Sequence, residues 1–360
     1  MHGSLRASSV HPVVRVTGNF TSEAPLSAAV RESLLAAFDQ GWADPKKLSQ
    51  TSAKAAILRN QSLENIAQRL GVSAQELHIL GEPALGHFLA VAGLLKENSE
   101  FIYSATDKGK IRAIARSHSG KVTEATVDNG GQMDPPGAPL ADSVLSVQSA
   151  NGETGIIQKF HTAFSKVGFV SVDATSSAPR LPLPSRWDTA LFDSQSWGGP
   201  SGLGLVAIRN TSRYSYPLPR IAPISVPGTY SLPLLIAASI ALENFQIEDS
   251  TLRDSLISQL KTVPSVLVVG ENAEALPHIL SCIVAGVDSE QLVRQLSQRG
   301  FDVDSGSACS PEDLQPSHVL AAMGLPTTGH LRFTLHRNTT KDSIVELVKN
   351  ITEVSAELRR

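Results

Sequence analysis

Three stretches of the sequence carry residue types that could do chemistry. The apolar run Gly168–Phe169–Val170–Ser171–Val172 ends in Asp173. A carboxylate at the carboxyl end of a buried strand stands where open α/β sheets bind ligands. Taken alone, an Asp after a strand is usually the cap of the helix that follows. Ser305–Gly306–Ser307–Ala308–Cys309–Ser310 places a thiol among small residues just before Pro311. An exposed, mobile thiolate is what a sulfur carrier or a nucleophile requires. Cys282, inside the run HILSCIV, reads instead as an inert core residue. Gly198–Gly199–Pro200–Ser201–Gly202–Leu203–Gly204 lacks GxGxxG spacing and leads into a strand rather than a helix. It therefore reads as a tight turn and not as a phosphate cradle.

The frame around these residues is that of an ordinary globular protein. The chain has 360 residues, 41% hydrophobic and 18% charged, at roughly 150 residues per domain enough for a large domain and a smaller one. Thirty-one Lys and Arg against 34 Asp and Glu give a net charge of −3, which offers no electrostatic footprint for nucleic acid or an anionic membrane. Two cysteines are too few for a disulfide framework and agree with a reducing, cytoplasmic setting. The ten histidines show no metal-ligand spacing. The longest apolar stretch, Leu234–Leu242, is far shorter than the ~20 residues that span a bilayer. The residues before Glu23, the first acid, carry Arg6 and Arg15 and read as a frayed tail rather than a transit peptide.

Periodicity supplies the elements. Leu26, Ala29, Val30, Leu34, Leu35 and Phe38 predict a helix from about Ala24, and further helices are expected over Ala53–Leu70, stopping at Gly71, and His87–Leu95. VSAQEL (72–77) opens a short element. Phe101–Ala105, Ser143–Val147, Gly168–Val172, Thr189–Phe192 and Leu205–Ile208 read as buried strands of a mainly parallel sheet. Arg213–Pro233, dense in proline, reads as an irregular but ordered loop before helices Leu234–Phe245 and Leu252–Leu260. Smaller strand and helix units follow, ending in a helix over Lys341–Leu358. The expected division is an N-terminal segment (1–20), a large α/β domain (21–245) and a small α+β domain (246–360).

These pieces share an order. The stretch between Asp302 and Asn338, with Cys309, Leu314, Pro316, Val319–Leu320 and then Arg332 in a strand, closely resembles the C-terminal part of the NifS-like cysteine desulfurases. Upstream, Ser149–Gly155 is similar to that family's VNNExG turn and Val172–Asp173–Ala174–Thr175–Ser176 to its VDAxQ. The resemblance implies the fold-type-I, class V aminotransferase architecture, pyridoxal phosphate as cofactor, a homodimer and a sulfur-accepting protein partner, within iron–sulfur or other sulfur-transfer chemistry. It implies that Asp173 pairs with the pyridinium nitrogen, which keeps the ring an electron sink. It gives Arg332 the substrate carboxylate, a task for a bidentate guanidinium. It makes Cys309 the persulfide carrier, and Thr229 a contact to the neighbouring subunit's cofactor phosphate. Asn151 and Ser176 fall at further cofactor contacts.

Other family positions are changed. The family's SGHK tetrad, whose lysine forms the Schiff base, falls on Asp193–Ser194–Gln195–Ser196, and no lysine occurs from Val167 through Leu260. A hydroxyl at Ser196 cannot form an imine. The phosphate-gripping SGATE turn becomes Leu80–Gly81–Glu82–Pro83–Ala84, in which Glu82 adds a negative charge and Pro83 removes a donor. Lys108 stands for the ring-stacking histidine, Ser176 for the glutamine beside the ring oxygen and Val226 for an arginine. The reading is a desulfurase-like protein without the Schiff-base lysine, acting in binding or sulfur relay; at Cys309 a relay and a merely inherited loop weigh alike. The alternatives are an active enzyme that takes its amine from Lys108, otherwise a solvated turn lysine, and a new ligand in the old cleft. Such a cleft would be lined by Trp187, Gln195, Ser196 and Trp197, unless the tryptophans are core.

Overall fold

The computed structural model describes residues 18–81, 83–161, 164, 166–219, 230–306 and 316–360. In chain order the elements are β1 (Asn19–Phe20), α1 (Ala28–Gln40), α2 (Gln50–Leu70), β2 (Leu77–Leu80), α3 (Pro83–Ala92), β3 (Phe101–Ser104), α4 (Gly109–Ser117) and β4 (Val122–Ala125). β5 (Val144–Gln148), β6 (Phe169–Asp173), β7 (Thr189–Asp193) and β8 (Gly204–Ile208) complete the central sheet. Then come α5 (Leu232–Glu243), α6 (Thr251–Leu260), β9 (Val266–Val268), β10 (Ile279–Val284), α7 (Ser289–Gln298), β11 (Asp302–Val303), α8 (His318–Ala322), β12 (His330–Thr334) and α9 (Lys341–Leu358).

Seven strands form one sheet in the order β2-β8-β7-β6-β5-β3-β4. All pair in parallel except β8, which runs against both neighbours. The mainly parallel α/β architecture expected from the sequence is thus present. Near-continuous apolar strands need cover on both faces, and they receive it. Ala190 and Phe192 of β7, with Leu205 and Ala207 of β8, join the core under α2 and α5. Leu191, Val206 and Ile208 point the other way, into the core under α3 and α4. α5 is apolar around its circumference because it is buried between the sheet and α1 and α2.

The C-terminal part builds a separate antiparallel sheet, β12-β10-β9, with its own core beneath α6, α7 and α9. Cys282 lies at the centre of β10, wholly buried, with burial pushing its thiol up to about 12, as fits an inert core cysteine. Beside this sheet, β1 pairs in parallel with β11, Asn19 opposite Asp302 and Phe20 opposite Val303. Among the described residues no helix is long and apolar enough to cross a membrane.

Several boundaries differ from the sequence expectation, each for a local reason. α1 begins at Ala28 rather than Ala24 because Ser27 caps it, its side chain accepting from the Val30 amide. α3 begins at Pro83 rather than His87, since proline suits a first helical turn where no N–H is needed. α2 ends at the left-handed Gly71, as expected. β2 and β4 are four-residue edge strands, and β4 (VTEA) is too polar to stand out as a strand.

One contact fixes α3 against the sheet. A Cβ at Gly86 would lie 2.3 Å from Leu191 Cδ1 and 2.9 Å from Leu80 Cδ1, so any larger residue would have to displace these two leucine tips or the helix. Gly86→Ala should overpack the joint and cost about 1–3 kcal/mol. Urea unfolding would show a lower midpoint at unchanged slope; an unchanged midpoint would mean the joint is not tight.

Candidate functional site

The carboxyl ends of β3, β5, β6 and β7 converge, and each delivers a polar residue or a loop bearing one. β3 runs into Thr106, Asp107 and Lys108; β5 ends at Gln148; β6 and β7 end at Asp173 and Asp193. Strand order reverses between β3 and β5, where open α/β sheets form their ligand crevice. Here that place is bridged by the chain itself. Gln148 donates to the Asp107 carboxylate at 2.9 Å and to the Thr106 carbonyl at 3.0 Å, and Asn151 donates to the same carbonyl at 3.2 Å.

Asp173 is 6% exposed and lies at the centre of the group. Its Oδ2 takes His87 Nε2 at 3.0 Å and Lys108 Nζ at 3.1 Å. Its Oδ1 accepts from the Thr175 amide at 2.9 Å and the Thr175 hydroxyl at 2.6 Å, and Lys108 also donates to that hydroxyl. Burial alone would raise the Asp173 pKa. The Lys108 ammonium, His87 and the hydrogen bonds from His87 and Thr175 outweigh it and hold the carboxyl well below its usual range. Asp107, wholly buried with hydrogen bonds but no cation against it, goes the other way. Burial pushes it up to about 7, against the bonds from Gln148 and the Ser104 amide, and with help from the nearby Asp173 charge. Burial also raises Asp193, partly offset by the Gln195 amide and Lys108.

The other expected site residues fall as follows. Asn151 spends its groups on the chain, its Oδ1 accepting from the Glu153 and Thr154 amides. Ser176 is half-buried, with its Oγ 2.6 Å from where a Gly152 Cβ would stand. Ser196 lies in a short 3₁₀ turn (Ser194–Trp197) and donates to the Ala178 and Asp193 carbonyls at 2.7 and 2.8 Å. Arg332, in β12, meets Asp304 at 3.5 Å, while its buried Nε has no partner. Cys309, Thr229, Glu82 and Val226 lie outside the described residues. Lys108 is no solvated turn lysine; at 33% exposure it leans into the Asp173 site. Trp187 and Trp197 are core residues, Trp197 donating to the Ala238 carbonyl at 3.0 Å. Among the described residues no group of three His, Cys, Asp or Glu could hold a metal.

His87 and Asp107 were missed by sequence reasoning. The signals were present: His87 is the one ionisable group in the apolar helix PALGHFLAVA, and Asp107 follows the carboxyl end of a strand as Asp173 ends one. A second polar cluster also lay unseen beside Arg332. Glu153 accepts from Ser317 Oγ and, through its backbone carbonyl, from Ser281 Oγ at 2.6 Å. Ser281 Oγ is 3.1 Å from His330 Nε2. Burial raises Glu153, opposed by Ser317 and Arg332, and brings His330 down to about 4 with help from Arg332.

Comparison with known proteins bears on this arrangement. Residues 224–347 match the family model for aminotransferase class V. The chain is 24% identical to the cysteine desulfurase IscS of Dictyoglomus turgidum, covering 95% of this chain and 94% of the relative. It is 27% identical to cysteine desulfurase 2 of Trichormus variabilis, covering 95% and 93%. Over nearly its whole length the chain is thus similar to cysteine desulfurases, and its C-terminal third to the class V aminotransferases. Among solved structures, a NifS-like protein superposes with a TM-score of 0.83 at 21% identity over 94% of this chain and 99% of the other. The cysteine desulfurase CsdA of Escherichia coli gives 0.79 at 19% identity over 96% and 97%. The fold is that of these NifS-like proteins.

Asp173 sets a pH dependence for this NifS-like site. Its folded pKa is depressed, so its contribution is fully present above the unfolded value of about 3.9 and is lost as pH falls through the folded one. Asp173→Asn should lower stability by about 1–3 kcal/mol at neutral pH. The gap to wild type should narrow only below about pH 4, as read by denaturant melts across pH. A gap that closes between pH 5 and 7 would contradict the ion pair.

Proposed function

We propose that this chain is a cysteine desulfurase-like protein that performs no Schiff-base chemistry with pyridoxal phosphate and serves as a binding and sulfur-relay member of its family. The observation that carries the reading is the engagement of Lys108 with Asp173, to which no other lysine is paired among the described residues. No lysine occurs from Val167 through Leu260, and the turn that would present one holds Ser196, bonded to backbone carbonyls. The amine that does reach the site binds the carboxylate meant for the ring nitrogen, para to the aldehyde carbon.

The residues present therefore do not fit a covalently held pyridoxal phosphate. The phosphate end agrees. α3 opens on Pro83, which has no N–H to offer, and a Cβ on Gly204 would stand 2.9 Å from Pro83 Cα, so β8 packs directly on the helix start.

In the relay, the Cys309 thiolate attacks the outer sulfur of a donor persulfide. A new S–S bond forms as the donor's breaks, and the donor leaves as a thiolate, so no external oxidant is needed. Arg332, with an unpartnered Nε, supplies a cation for a carboxylate of the donor. A homodimer, with Thr229 reaching across, and a protein that takes up the sulfur complete the proposal.

The test is a visible spectrum with and without added pyridoxal phosphate, followed by borohydride. A colourless protein without a pyridoxyl-lysine adduct is expected. Colour with an adduct at Lys108 would instead make this an active enzyme with a displaced amine. Incubation with a working desulfurase and cysteine should label Cys309 as persulfide, and Cys309→Ser should lose the label. No label on wild type removes the relay.

A further inference from the structure

The Asp173 carboxylate is saturated. An ionised carboxylate offers about four acceptor positions, and four donors fill them: His87 Nε2 and Lys108 Nζ on Oδ2, the Thr175 amide and hydroxyl on Oδ1. Three of these are fixed by the fold. His87 rides on α3, which Gly86 presses against β7. Both Thr175 donors belong to the turn that leaves β6. Lys108 alone is held by a side chain that solvent can reach, and it too is tied down. It is the N-cap residue of α4, it donates to Thr175 Oγ1, and its Cε lies 3.9 Å from where a Gly152 Cβ would be.

Resting on the reading that no Schiff base forms here, we propose that the Lys108 ammonium is a built-in substitute for a ligand's cationic ring nitrogen, so that Asp173 excludes pyridinium-type ligands outright. A ring N–H reaching Asp173 would have to expel one of four donors. Expelling Lys108 exchanges one cation on a buried carboxylate for another, with no gain in charge pairing to offset the cost of ordering the ligand. The absence of the Schiff-base lysine and the presence of Lys108 are then two separate barriers, and restoring an amine at position 196 would not by itself reopen the site.

Pyridoxamine 5′-phosphate is the discriminating probe, because it carries the ring nitrogen and the phosphate but no aldehyde. Calorimetric titration of the wild-type protein should show no saturable binding up to millimolar probe, and Lys108→Arg should behave the same. Lys108→Met, similar in length but uncharged, should bind at least about tenfold more tightly, a factor worth 1.4 kcal/mol. Binding to wild type, or no gain in Lys108→Met, overturns the proposal. Should the Met variant not fold, acylation of the native protein decides. By peptide mass spectrometry, Lys108 should react at least about tenfold more slowly than the exposed Lys54, since 1.4 kcal/mol of pairing suffices for that factor. Equal rates overturn the proposal. A colourless wild type whose Lys108 reacts freely sinks this inference alone, whereas a coloured, borohydride-trapped wild type sinks the reading beneath it.

Discussion

A carboxylate that leaves water must take its counter-charge with it, and this requirement organises the centre of the molecule. Asp173 ends a strand whose every residue is buried, in a region where an uncompensated charge would shift to its neutral form or unfold its surroundings. The fold answers with the Lys108 ammonium at the start of α4 and a hydrogen-bonding imidazole, His87, on α3. Asp107, one residue before Lys108, shows the other outcome. It has hydrogen bonds but no cation in contact, and it is raised toward neutrality. Two carboxylates at the same end of one sheet are thus shifted in opposite directions, because one has a cation in contact and the other has not.

Packing supports that charge arrangement. α3 can bring His87 to Asp173 only by lying within touching distance of β7, which the missing side chain at Gly86 permits. The Asn151–Gly155 turn is fixed by Asn151 Oδ1, and its Gly152 closes over Ser176 and the Lys108 stem. Polar groups here hold each other rather than pointing into open space.

Much of this was legible in the sequence because it depends on local patterns. Apolar strands ending in polar residues point to the parallel sheet and Asp173, and the run of spacings around Cys309 and Arg332 carries the resemblance to the desulfurases. Edge strands β2 and β4 escaped because four residues are too few to establish a period, and β4 is mostly polar besides. The place of Lys108 was hidden for a different reason. In Asp107–Lys108–Gly109–Lys110 it has the surroundings of a solvated turn, and only the tertiary meeting with Thr175, 67 residues on, turns it inward. His87 and Asp173 are 86 residues apart, a distance over which neither residue type nor spacing announces a pair. Cys309 and Thr229, read from family spacing, lie outside the described residues.

The two-residue ladder between β1 and β11 links Phe20 to Val303. Phe20 is almost fully buried in the C-terminal core, among Val303, Phe333 and Leu335. On the ribosome, a chain emerging from its first residue makes Phe20 long before Val303 exists. This apolar side chain must therefore wait, unburied or borrowed by other surfaces, until most of the protein has been synthesised. Closing such a distant contact is entropically slow, so the C-terminal core is completed last. The strand Asn19–Phe20 is thus among the elements most dependent on residues far downstream.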